Sequence, residues 1–137
     1  MSQHPRLLTI SALALIVLAV SSPAKGQSTP PEKDTGIVRT QVAIIDLGPE
    51  IDGLTGRVLR QNRAIVSPGG ATALHDHIER PEIIFVVAGR LIDHQGTVSR
   101  EYGPGESYTV GKGVSHWLEN RGTEPVTLIA TFIAKRR

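Results

Sequence analysis

The sequence predicts an all-β domain, built as a sandwich or a barrel. Three observations carry that expectation. From Ile37 onward the chain is divided into short apolar runs. The divisions are made by Gly, Pro, Asn and Asp, residues that preset a turn or accept positive φ. No stretch after Ile37 keeps a helical period over more than a turn or two. About nine short strands with closely spaced turns fit a closed or two-layered β architecture.

Taken in order, the candidate strands are residues 42–47, 57–61, 64–66, 71–77, 82–88, 91–94, 107–110, 115–119 and 126–133. Gly48-Pro49 ends the first, and Pro68-Gly69-Gly70 precedes the fourth. Gly103-Pro104-Gly105, Gly111-Lys112-Gly113 and Asn120-Arg121-Gly122 separate the later ones. The run Ile83-Ile84-Phe85-Val86-Val87 is apolar on both faces, whereas a strand with one wet face would alternate. The barrel interior is expected to cover one face. Another sheet or a second subunit is expected to cover the other.

Ahead of the strands, residues 1–26 read as a signal peptide. Arg6 supplies a short positive region, residues 7–20 are almost continuously apolar, and Ser21-Ser22-Pro23-Ala24 offers small residues for cleavage after Ala24 or Gly26. The apolar run of about 14 residues falls short of the roughly 20 needed to span a bilayer, so cleavage is expected rather than a lasting membrane anchor. A periplasmic or secreted location follows. Residues 27–39 are expected to be a flexible leader, 40–134 the barrel, and 135–137 a basic, solvated tail.

A chain of 137 residues is long enough for one core and short for two. The absence of cysteine excludes thiolate chemistry and iron–sulfur clusters. The formal charge of +2 includes Arg6 and Lys25 of the N-terminal segment. Without them the chain is near neutral, and no basic face argues for nucleic acid.

The chemistry is concentrated in two windows. On a strand, His75 and His77 point to one face and Asp76 to the other. A turn through Glu79-Arg80-Pro81 brings Glu82 back at the start of the next strand. His116 lies on a later strand, after Gly111-Lys112-Gly113. Three imidazoles and a carboxylate form a mixed N/O set suited to Fe, Mn, Zn, Ni or Cu as one divalent ion, rather than to Ca²⁺ or Mg²⁺. Open positions on such an ion could take water, O₂ or a chelating small-molecule substrate.

These windows resemble the two motifs of the cupin superfamily. The first matches at Gly69, His75, His77, Glu82 and Gly89; the second matches at Gly105, Gly113, His116 and Asn120. Gly111 stands where the family has Pro, which leaves the turn less firmly fixed. About 15 residues separate the motifs, the short spacing of small bacterial cupins. The resemblance implies a small jelly-roll barrel, a double-stranded β-helix, with the metal near its axis and often a homodimer. It also implies a metal-dependent dioxygenase, oxidase, decarboxylase, isomerase or lyase. His75, His77 and His116 would then hold the ion, and Glu82 would lower its charge and be available as a proton acceptor. The alternative is a non-catalytic metal- or small-ligand-binding module of the cell envelope.

If His75, Glu82 and His116 point inward, so do Ala71, Ala73, Ile84, Val86 and Leu118, giving a wall of small and apolar side chains. His94 is expected at a hairpin tip, in solvent. Trp117, on the face opposite His116, is expected between sheets or at a subunit contact. Tyr102 and Tyr108 are expected in core or rim packing, Asn120 in a turn, and Arg57, Arg60 and Arg63 at the surface.

Overall fold

The computed structural model describes residues 29–136; the expected signal peptide lies outside these residues. Nine strands form the fold: β1 Thr35–Asp46, β2 Arg57–Ala71, β3 His75–Asp76, β4 Glu82–Ala88, β5 Leu91–Gln95, β6 Val98–Tyr102, β7 Ser107–Val110, β8 Ser115–Glu119 and β9 Val126–Lys135. No helix occurs among the described residues. All pairings are antiparallel, in the order β6-β5-β8-β2-β9-β4-β7, with β1 on β2 and β3 on β8. The result is a nearly closed jelly-roll barrel, as the sequence predicts.

β2 is the pivot. It pairs with β9 from Arg57 to Val66, then turns through Pro68-Gly69-Gly70 and meets β8 at Ala71. Gly70 permits that crossing, because a Cβ there would lie 2.9 Å from the Ser67 carbonyl and 3.0 Å from that of Gly36. Gly89 has a similar reason. Its φ is +78°, and a Cβ would sit 2.8 Å from the Pro125 carbonyl oxygen. Inward residues Val66, Ile84, Val86, Leu91, Val110 and Leu128 form the buried core.

Three expectations change. First, residues 35–39 belong to β1 rather than to a leader. The Asp34 carboxylate anchors this end by accepting the Ala73 N–H at 2.9 Å and pairing with Arg39. Second, residues 57–61 and 64–66 are one strand, because Asn62 and Arg63 continue the ladder with β9. Third, β6 is an added edge strand, exposed at all but Tyr102. On β4 the barrel interior covers one face as expected: Ile84 and Val86 are buried, whereas Ile83, Phe85 and Val87 are exposed, with no sheet over them among the described residues. Of the basic residues at the C-terminal end, Lys135 meets Glu79 at 2.6 Å and Arg136 pairs with Asp46, both from exposed positions.

Candidate metal centre

The three motif histidines converge inside the barrel. His75 and His116 are direct partners across the β3–β8 ladder. His77 has left that ladder, but its N–H still reaches the Val114 carbonyl at 3.2 Å. Ring centroids lie 4.6 Å apart for His75–His116, 4.8 Å for His77–His116 and 5.2 Å for His75–His77. One ligand atom from each falls within 4.8 Å of the other two. His77 and His116 are fully buried and His75 is partly open.

The hydrogen-bond partners decide which nitrogens are free. The Nδ1–H of His75 donates to the Ala73 carbonyl at 3.0 Å, and that of His77 to the Arg80 carbonyl at 2.8 Å. His116 Nδ1–H donates to Asp93 Oδ1 at 2.7 Å. A neutral imidazole with Nδ1 protonated carries its lone pair on Nε2. Three Nε2 lone pairs are therefore aimed at a common space, with those of His77 and His116 only 2.9 Å apart and Arg80 Nη2 also 3.4 Å from that of His77. Lone pairs at that distance repel unless a proton or a cation lies between them. Two nitrogens at right angles around an ion, each ~2.1 Å from it, would be about 2.9–3.0 Å apart. The site can hold a metal ion.

Burial keeps the imidazoles in the neutral, ligating form. It lowers the pKa of His77 to about 4, against the hydrogen bond that His77 donates to the Arg80 carbonyl and with the Arg80 guanidinium adding to the effect. Burial also lowers that of His75. Glu82 lies beside them, Oε2 3.3 Å from His77 Nε2. It is buried, and burial raises its carboxyl pKa despite the nearby Arg80.

A cavity of about 480 Å³ opens over this group. His75, Glu82 and His116 form one part of its wall; Ala73, Ile84 and Leu118 line it as strand parity predicts, whereas Ala71 and Val86 are buried without lining it. Arg39 and Arg80 bring positive charge to a wall that also holds Asp34, Asp76 and Glu82, with Arg39 paired to Asp34. Arg80 lies over the Phe132 ring, 5.0 Å from its centroid, with Nη2 3.8 Å from Glu82. Asn62, also in the wall, has a buried side-chain oxygen with no hydrogen-bond partner among the described residues.

Residues 62–132 match the cupin domain family. The chain belongs to that family. It is 31% identical over 87 residues to the rhicadhesin receptor of Pisum sativum, a match covering 60% of this chain and 40% of that protein. Germin-like protein 3-8 of Oryza sativa subsp. japonica is 33% identical over 75 residues, covering 51% and 33% of the two chains. The chain thus spans well under half the length of these plant relatives. Among solved structures, a cupin-2 domain from Rhodospirillum rubrum superimposes with a TM-score of 0.60 at 19% identity, over 85% of this cupin and 70% of that one. KdgF from Halomonas sp. gives a TM-score of 0.56 at 22% identity, over 74% and 82%. At these identities the structures establish the fold.

The cupin's other polar residues fall partly as expected. Asn120 does close a turn, accepting the Gly122 N–H at 2.9 Å while its amide donates to the Val66 and Glu124 carbonyls. Tyr102 and Tyr108 stack in the core 4.0 Å apart and do not line the cavity. Among Arg57, Arg60 and Arg63, only Arg63 is exposed. His94 corrects the sequence reading. The turn comes later, so His94 lies within β5 and is buried. Its Nδ1 is 2.6 Å from Ser99 Oγ, its Nε2 3.0 Å from Glu119 Oε2, and its ring stacks on Trp117 at 3.8 Å. Three residues had escaped notice: Asp93, Arg39 and Arg80. Inward parity with Leu91 was the available signal for Asp93, and for Arg80 its place between His77 and Glu82.

Proposed function

We propose that this cupin is an exported metalloprotein that binds one divalent transition ion through Nε2 of His75, His77 and His116 and the carboxylate of Glu82, and acts on a small anionic molecule bound beside it. The convergence of three Nε2 lone pairs at the base of an accessible cavity carries this reading. Fe, Mn, Zn, Ni and Cu all suit such a donor set. The ion would supply Lewis-acid or redox chemistry. Glu82, whose carboxyl pKa burial raises, would exchange a proton with a molecule in the cavity. Arg80 and Arg39 would hold an anionic group, Asn62 would accept one hydrogen bond, and Ile84, Leu118 and Phe132 would exclude water from an apolar body.

The test is elemental analysis of protein purified from its native compartment, beside a His75→Ala/His77→Ala variant. One equivalent of metal per chain, lost in the variant, is expected; equal metal in both would place the metal elsewhere. N-terminal sequencing of the same sample should begin at Lys25 or Gln27 if export is correct. Assay with Fe²⁺ or Mn²⁺ under O₂ against phenolic and dicarboxylate substrates separates an enzyme from a binding module. Binding without turnover across that panel would favour the module.

A further inference from the structure

A second cluster of reactive groups lies on the outer face of the sheet, on β5, β6 and β8. Ser99 Oγ is 2.6 Å from His94 Nδ1, and His94 Nε2 is 3.0 Å from Glu119 Oε2. None of the three lines the metal cavity. A hydroxyl, an imidazole and a carboxylate bonded in that order are the parts of a nucleophilic triad.

The ladder holds them in place. His94 pairs directly with Ser99 on β6 and with Trp117 on β8. Glu119 lies two residues beyond Trp117 and shares its face. The imidazole stacks on the Trp117 ring at 3.8 Å, within 8° of parallel. The two-residue loop Gly96-Thr97, with Gly96 at φ +60°, closes the β5–β6 hairpin and fixes its register. In such a hairpin Gln95 and Val98 exchange the first backbone hydrogen bonds. His94 and Ser99 form the next, non-bonded pair, whose side chains stand closest.

Burial and hydrogen bonding set the roles. Glu119 is 2% exposed and His94 6%, whereas Ser99 is open to solvent. Oε2 of Glu119 also accepts the Arg121 Nε–H, at 2.9 Å. His94 therefore donates Nε2–H to that oxygen, because the other tautomer would set a lone pair against the carboxylate. The lone pair left on Nδ1 accepts the Ser99 O–H. β6 ends the strand order. The backbone N–H of Ser99, turned away from β5, faces that open edge. There it can donate to the oxygen of a carbonyl whose carbon meets Oγ. In serine hydrolases the nucleophile's own N–H is one part of the oxyanion site.

We infer that Ser99, His94 and Glu119 form a catalytic site separate from the metal centre, one that hydrolyses uncharged carboxylic esters with good leaving groups. A single N–H for the oxyanion suits an activated ester better than an amide. The charges nearby are matched in pairs, Arg90 with Glu101 and Arg121 with Glu119, so they do not select a charged acyl group. Oγ bonds to the carbonyl carbon as its proton passes to Nδ1. The bond to the alcohol oxygen breaks as Nδ1 hands that oxygen the proton. Water then adds to the acyl carbon, giving its proton to Nδ1. The acid leaves as Nδ1 returns the proton to Oγ. Glu119 orients the ring and steadies the imidazolium, and so is a positioning residue.

The test uses the full chain with its metal bound. A fluorophosphonate probe should label Ser99, an Oγ–P bond replacing P–F, with one adduct per chain by peptide mass spectrometry. Ser99→Ala should abolish that adduct and the hydrolysis of 4-nitrophenyl acetate, with metal content unchanged. Glu119→Gln should lower kcat for that ester about 100-fold at unchanged KM, a split that a purely structural carboxylate would not produce. The chain has no cysteine, so iodoacetamide reads a Ser99→Cys variant at that position alone. Its thiol should react about tenfold faster than that of Thr97→Cys on the same hairpin. No adduct at Ser99, labelling that Ser99→Ala retains, an unchanged kcat in Glu119→Gln, or equal thiol reactivity at positions 97 and 99 would overturn the inference. The three residues would then serve only to tie the hairpin to β8.

Discussion

His116 and His94 lie on neighbouring strands, both buried and both beside a carboxylate, yet their chemistry differs. The ladder sets Gln95 against His116 and His94 against Trp117, so the two histidines are nearly adjacent in the sheet. They face opposite sides. His116 has one nitrogen bonded to Asp93, and the other meets His77 and its lone pair. His94 has both nitrogens engaged, by Ser99 and by Glu119. Burial and a carboxylate partner do not make a ligand. A nitrogen left over after hydrogen bonding, aimed at other such nitrogens, does.

Replacing each histidine should separate them most. His116→Ala should abolish stoichiometric metal binding, read by titration of the metal-free protein with Zn²⁺. His94→Ala should keep full stoichiometry. It should instead lower unfolding stability by about 2–3 kcal/mol, because the buried ring loses its stack on Trp117 and its bonds to Ser99 and Glu119. Metal loss in the second variant would erase the distinction.

The carboxylates come next. Asp93→Ala should weaken metal affinity roughly 10- to 100-fold, the usual effect of removing the group that orients a ligating imidazole. Glu119→Gln should leave the affinity unchanged. Equal effects would show that the network acts as a whole.

Acid offers a milder probe. His77 titrates near pH 4 when folded, against about 6.5 in an unfolded chain. The depressed value favours the neutral ring, so its contribution to the stability of metal-free protein is fully present above pH 6.5. It declines as pH falls toward 4, where the unfolded chain binds the proton first. Glu82 acts in the opposite sense: its raised value favours the protonated fold and costs stability as pH rises through it. Metal content after dialysis should therefore persist at pH 6 and fall as pH approaches 4. Loss that is complete by pH 6 would contradict a neutral His77. The smallest effect is expected at the turn before His116, where Gly111→Pro should add about 0.5–1 kcal/mol of stability without altering metal affinity, read by thermal unfolding.

The site was legible because each element needed a particular residue. Gly89 has no room for a side chain, and His75, His77, Glu82 and His116 recur at spacings that strand parity brings together. Turns and inward strands were legible for similar reasons. Other parts were not. β1 carries apolar residues toward both sides and stays largely exposed, so no alternation marked its start. β6 is a polar edge strand whose Ser-Arg-Glu core resembles a loop. Asp93 and His94 read as a tip because the true turn begins two residues later, at Gly96. The link between Asp93 and His116 spans 23 residues, and only the folded ladder reveals it.

The most direct test of the metal centre is X-ray absorption of the loaded protein. The expected first shell has three imidazole nitrogens, with their outer-ring scattering, and at least one oxygen, all at about 2.0–2.2 Å. Loss of two imidazoles should follow His75→Ala/His77→Ala. A shell with fewer than three imidazoles in the wild type, or one unchanged in the variant, would contradict the assignment of these histidines.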